Sequence, residues 1–166
     1  MKTARFWHAV EGGGVECELC PHHCRIAEGR RSRCYGRVNH GGVLMAETWG
    51  MPVAICEDPI EKKPLHHFLP GRPVLSLGTL GCNLSCRFCQ NWELSHPKGG
   101  GEHCCKPVLP EEVARAAAVR GIPSVAVTYN EPAVWAEYAM DMADACHGAG
   151  VRMVAVTSGY MAAEPG

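Results

Sequence analysis

The 166-residue chain has a formal net charge of −1, with 46% hydrophobic and 20% charged residues. This is the balance of an ordinary globular domain, and it excludes the broad basic face that nucleic acid or an anionic membrane would require. No apolar run is long enough to span a bilayer, and residues 1–10 lack the apolar core of an export signal. A cytoplasmic protein with no nucleic-acid or membrane partner is therefore expected, and its eleven cysteines point to bound metal rather than disulfides.

Residues 1–71 show little helical periodicity and many turn signals. The run Cys17-x2-Cys20-Pro21-His22-His23-Cys24 is followed by Cys34 after nine residues. Four ligands with this opening, His22 or His23 being able to replace one thiol, fit a structural zinc site or a second, four-cysteine iron–sulfur cluster. A small loop-rich module with little core needs such a staple. Residues 37–44 predict a hairpin turning at Asn39-His40-Gly41-Gly42. Cys56, and Cys146 further on, read as small buried hydrophobes. The proline-punctuated residues 58–71 read as a solvated connector.

From Pro73 onward strands and helices alternate. A short apolar strand at residues 74–78 leads into a cysteine loop. A Gly-rich stretch, residues 99–106, carries Cys104 and Cys105, taken as incidental thiols. Residues 110–120 predict a helix with Pro110 near its start, Glu111 and Glu112 in the first turn and Gly121 past its end. A buried strand is expected at residues 124–128. A helix follows at 132–147, with Val134, Tyr138, Met142 and Ala145 on its apolar face, and then a strand at 151–157. This alternation predicts an α/β fold with parallel pairing, divided into a cysteine-rich module and linker (residues 1–71) and three βα units (residues 72–166). In α/β barrels functional groups gather at the C-terminal strand ends. The cysteine loop, Tyr129-Asn130-Glu131-Pro132 and Thr157-Ser158-Gly159-Tyr160 all fall there. Three such units do not close a barrel, so an N-terminal portion of a longer protein, or half of a split one, is expected.

The cysteine loop reads Gly81-Cys82-Asn83-Leu84-Ser85-Cys86-Arg87-Phe88-Cys89-Gln90-Asn91. Cys82, Cys86 and Cys89 can each hold one iron of a cubane and leave the fourth iron open to a reactant. Zinc sites prefer paired C-x2-C knuckles with a fourth ligand, which this spacing fits poorly. The loop resembles the cluster loop of the radical S-adenosylmethionine (SAM) superfamily. That resemblance implies a [4Fe–4S] cluster whose free iron chelates SAM's methionine part, and reductive cleavage to a 5′-deoxyadenosyl radical.

Glu131 offers a carboxylate for SAM's ammonium group and Asn130 an amide beside it; Glu131-Pro132 is equally a helix start. Related enzymes tend to have Thr-Asn-Gly where this chain has Thr157-Ser158-Gly159, so Ser158 either lines the SAM pocket or belongs to a turn. Phe88 packs on adenine in relatives, a core aromatic being the competing view. Asn91 and Trp92 are candidates for the site's wall. Together with residues 58–71 and Cys89-Gln90-Asn91-Trp92, the chain over residues 17–160 is similar to the radical SAM enzyme of the AmmeMemoRadiSam system, related to pyruvate formate-lyase activating enzymes. This implies the N-terminal part of a partial (β/α) barrel preceded by a cysteine-rich β module. It also implies an electron donor such as flavodoxin or ferredoxin, and hydrogen abstraction from a substrate, a glycyl backbone of a protein being the activating-enzyme case. No catalytic residue is assigned beyond the cluster. The alternatives are a non-catalytic iron–sulfur electron-transfer or metal-binding protein, or an inactive fragment.

Overall fold

The structure is a computed structural model that describes residues 1–97 and 107–163. Six short strands come first: β1 (Lys2–Thr3), β2 (Trp7–Val10), β3 (Gly14–Cys17), β4 (Arg25–Ile26), β5 (Arg37–His40) and β6 (Val43–Ala46). They form two three-stranded antiparallel sheets, ordered β1-β6-β5 and β2-β3-β4. The hairpin is the expected one, with the turn confined to Gly41 and Gly42, both at positive φ. Val15, Ile26, Leu44 and Ala46 form a small core between these sheets. Asn39 ties it together, its Nδ2 donating to the carbonyls of Gly13 and Ile26 at 3.0 and 2.9 Å.

A four-stranded sheet follows, ordered β10-β9-β8-β7, from β7 (Ala54–Pro59), β8 (Pro73–Gly78), β9 (Ser124–Val127) and β10 (Arg152–Ala155). β8, β9 and β10 are parallel and β7 joins the edge antiparallel. β8 and β9 are buried almost throughout, as their near-continuous apolar sequences require. Leu75, Leu77, Val125 and Val127 face α2 (Pro110–Val119) and α3 (Ala136–Gly148), meeting Val113, Ala117, Tyr138 and Met142. Val74 and Ala126 pack with Ile60. A short α1 (Trp92–Ser95) precedes these two helices. α2 begins as expected, with Pro110 in its first turn and Glu112 accepting the Leu109 N–H at 2.8 Å.

Three expectations need correction. Residues 58–71 are not simply a solvated connector: Asp58 and Pro59 complete β7, Ile60 is fully buried, and Lys63 is 5% exposed. Prolines concealed a strand end there, since pairing with β8 tolerates Pro59 at the edge. Cys56 is exposed together with its neighbours Ile55 and Glu57 on the edge strand β7, whereas Cys146 is buried as expected. The segment from Pro132 starts as a 3-10 turn (Pro132–Trp135) and becomes α-helix only at Ala136, with Cys146 rather than Ala145 completing the buried face. Cys104 and Cys105 lie outside the described residues.

The N-terminal sheets are locked onto α3 by a buried ion pair. Arg37 and Glu137 are both essentially inaccessible, with Arg37 Nη2 2.9 and 3.0 Å from the two carboxylate oxygens. Glu137 also accepts the Arg5 N–H at 2.7 Å, and Arg37 Nη1 donates to the Arg5 carbonyl at 2.9 Å.

Candidate active site

The chain leaves β8 at Gly78 and turns at once into the cysteine loop. Several bonds fix that loop to the next strand end. Asn130 Nδ2 donates to the Gly81 carbonyl at 2.6 Å, and its Oδ1 accepts the Thr79 N–H at 3.2 Å. Asn91 Nδ2 donates to the Tyr129 carbonyl at 2.8 Å. Asn83 Nδ2 reaches the Tyr160 carbonyl at 2.9 Å, beyond β10. Inside the loop the Cys89 N–H returns to the Cys86 carbonyl at 3.2 Å.

Gly81 cannot be another residue. Its φ is +90°, and a Cβ there would stand 2.0 Å from the Cys34 carbonyl oxygen. The N-terminal module therefore presses directly on the start of the loop. His22 Nε2 adds a bond of 2.8 Å to the Asn83 carbonyl.

Cys82, Cys86 and Cys89 are half-buried free thiols and open onto one cleft of about 280 Å³. Asn130, Glu131, Thr157 and Ser158 line the same cleft, so all three strand-end stretches singled out in the sequence meet. Glu131 is 4% exposed. Its carboxylate accepts the Ser158 N–H at 2.8 Å, the Ser158 hydroxyl at 2.7 Å and the Thr157 hydroxyl. It also accepts the Ala133 N–H at 3.5 Å, capping the following turn as its helix-start reading expects. These four donors match the roughly four lone-pair sites of a carboxylate, so an ammonium donor would enter by displacing one of them, the 3.5 Å Ala133 contact being the longest. Asn130 differs: both ends of its amide are already bonded to backbone, so it shapes the loop.

Phe88 is 88% exposed, which corrects the core-aromatic view. Trp92 is half-exposed and stacks on His96 at 4.0 Å, and it is His96, with Asn91 and Ser95, that lines the cleft. Sequence reading missed His96 and Ser95, since neither sits in a motif.

Tyr129 also lines the cleft, in a left-handed backbone conformation at φ +71°. Its hydroxyl donates to Asp58 at 2.8 Å, and Lys63 Nζ sits 4.8 Å above its ring and 2.8 Å from the same carboxylate. Burial of Asp58 opposes its ionisation, but the bonds from Lys62, Lys63 and Tyr129 outweigh this and hold its carboxyl well below the ordinary range. Burial, then the neighbouring Asp58, push the Tyr129 phenol upward.

The second cysteine set also converges. Cys17, Cys20, Cys24 and Cys34 line one small cavity beneath the cysteine loop, with Arg37 and Asn83. Burial pushes the Cys17 thiol up to about 11 and raises Cys34 as well. His22 lines the same cavity, with its Nε2 bonded to the Asn83 carbonyl. His23 lies 3.9 Å from Glu16. Among the described residues, no three Cys, His, Asp or Glu side chains are gathered closely enough to hold an ion as they stand. Both sets would have to turn their thiols inward around one. The donor chemistry at the cleft nonetheless fits a cluster with an open iron: three thiols on one loop and a buried carboxylate facing the same space.

The superfamily model described as radical SAM matches residues 77–164, more than half of the chain. The chain belongs to the radical SAM superfamily, whose members generally bind a [4Fe–4S] cluster and SAM and catalyse redox radical reactions. It is 39% identical over 165 residues to uncharacterized protein MJ0808 of Methanocaldococcus jannaschii, an alignment covering 99% of this chain and 49% of that protein. The chain thus spans about half the length of this curated relative. No solved structure matches the chain. Among the described residues, no helix is long and apolar enough to cross a membrane.

Proposed function

We propose that this chain carries the cluster and SAM-binding end of a radical SAM enzyme of the activating-enzyme type, resembling that of the AmmeMemoRadiSam system. Cys82, Cys86 and Cys89 hold the [4Fe–4S] cluster. Glu131 receives the ammonium group of SAM, Ser158 and Thr157 hold its carboxylate in place at the cleft, and Asn130 fixes the loop that presents the thiols. Phe88 covers the adenine. When bound, the cluster supplies the single electron that splits SAM into methionine and a hydrogen-abstracting 5′-deoxyadenosyl group. A small cytoplasmic electron carrier such as flavodoxin or ferredoxin is the donor, and the hydrogen comes from a substrate, a protein backbone glycine in the activating-enzyme case. A second metal, zinc or iron–sulfur, belongs to the N-terminal cysteines.

One observation carries this reading: Glu131 is buried, and its bonded carboxylate shares a single cleft with the three loop thiols. A carrier that only shuttles electrons has no use for such a carboxylate at an open iron. The test is anaerobic reconstitution with iron and sulfide, then dithionite and SAM, with 5′-deoxyadenosine as product. It should form in the wild type and fall to background when any of Cys82, Cys86 and Cys89 is replaced by Ala. Glu131→Gln should keep the cluster but lose the SAM-induced change in its EPR signal. If that change survives Glu131→Gln intact, the SAM site is elsewhere.

A further inference from the structure

We propose that Cys17, Cys20, Cys24 and Cys34 bind one zinc ion as a four-thiolate site that braces the cysteine loop from below. This deepens the second-metal part of the function proposed above, and it stands on residues that the SAM site does not use.

The four cysteines come from two segments, residues 17–24 and the turn that carries Cys34, yet line one cavity. Cys17 ends β3, Cys20 and Cys24 flank the turn before β4, and Cys34 sits in the turn before β5. None is in a disulfide. At two of them the backbone already treats sulfur as an acceptor: the Leu19 N–H points at Cys17 and the Gly36 N–H at Cys34, each from two residues further on. The Ser32 hydroxyl adds a contact of 3.2 Å to Cys34 Sγ. Such amide donors are what a thiolate needs once a metal has displaced its proton.

Arg37 gives the independent sign of a missing ligand. Its guanidinium is completely buried, and its terminal nitrogens are bonded to Glu137 and Arg5. Its Nε is buried with no partner among the described residues, as is Asn83 Oδ1, and both residues line the cysteine cavity. A buried unpaired donor is costly. Four thiolates around a divalent ion carry net negative charge, which the buried Arg37 guanidinium beside the cavity would offset.

Size separates the two metals left open by sequence. The cavity holds about 10 Å³, roughly the space of one water-sized sphere. A single ion would need less rearrangement of these walls than the eight inorganic atoms of a cubane. Four thiolates arranged tetrahedrally around a single d10 ion is the structural zinc pattern. Its place explains its use, because Cys34's carbonyl abuts Gly81 and His22 holds the Asn83 carbonyl. Fixing these turns fixes the first residues of the loop that carries Cys82.

The test removes the loop thiols first. A Cys82→Ser/Cys86→Ser/Cys89→Ser variant, purified from medium containing both metals, should retain one zinc per chain with no stoichiometric iron or sulfide. Zinc-edge X-ray absorption should show four sulfurs at about 2.3 Å. Adding Cys17→Ser or Cys34→Ser should abolish zinc binding. Iron with acid-labile sulfide in the triple variant, or a lone iron, would overturn the assignment to zinc. A chain free of metal would overturn the site, and a shell with imidazole nitrogen would overturn the four-thiolate set. Failure of SAM cleavage in the wild type affects none of these readings. If the Cys17 and Cys34 variants do not fold, the absorption spectrum of the triple variant still decides.

Discussion

Around β8, β9, α2 and α3 the interior is almost wholly apolar, a continuous core from Leu75 to Val151. The N-terminal sheets enclose a smaller core and, beside it, Arg37, Asn39 and the thiols of Cys17, Cys20 and Cys34, all nearly inaccessible. The first region can be held by non-directional burial, which tolerates modest changes of shape. The second depends on named partners, and a polar group that loses its partner inside a protein is penalised more than a lost methylene. The candidate site lies where the two meet, so its loop inherits the precision of the polar side.

The largest expected effect tests this contrast at the ion pair. Glu137→Gln changes hardly any volume but leaves Arg37 buried against a neutral amide. Removing the charge of one partner in a buried pair costs about 3–5 kcal/mol. Ile122→Val removes a buried methylene from the apolar core and should cost only about 1 kcal/mol. Urea unfolding of both variants compares the regions directly. If Glu137→Gln proves the milder of the two, the distinction between them is wrong.

The next effect lies at the edge of the sheet. Asp58 joins Lys62, Lys63 and Tyr129, and Asp58→Asn leaves Lys63 buried without its counter-charge, at about 2 kcal/mol. The pH dependence has a definite sign. Asp58's carboxyl is held below its unfolded value, so its contribution is fully present above the ordinary carboxylate pKa of about 3.9. It is lost as pH falls through the depressed folded-state value. Wild-type stability should therefore decline below about pH 4 more steeply than that of Asp58→Asn. Parallel acid titrations of the two proteins would remove Asp58 from this role.

How legible these regions were follows from the same contrast. The strands β8, β9 and β10 and helix α2 were readable because apolar runs and end signals repeat at fixed periods, and the three cysteines because their spacing is itself chemistry. Glu131 was readable as a carboxylate at a strand end, but its bonds to Thr157 and Ser158 depend on β9 and β10 lying side by side, which no local pattern encodes. β7 was hidden because Asp58 and the lysines look solvated until Tyr129, 71 residues away in sequence, closes over them. Arg37 and Glu137 were missed for the same reason, with 100 residues between them. Cys56 was misread because edge position, not residue type, decides its exposure.

The smallest expected effect belongs to Phe88. On the cleft loop a large aromatic that is 88% exposed contributes almost nothing to the folded state, and Phe88→Ala should change stability by no more than about 0.5 kcal/mol. Its ring is nonetheless adjacent to Cys89, on the loop where the proposed SAM site opens. If it closes over adenine, Phe88→Ala should weaken SAM binding, raising the SAM concentration needed for half-maximal 5′-deoxyadenosine formation while leaving the melting curve and the cluster content unchanged. Equal SAM dependence in the two proteins would reduce Phe88 to a surface residue. A melting loss comparable to that of Ile122→Val would show instead that the ring packs inward, and that this end of the loop belongs with the apolar region rather than with the polar junction.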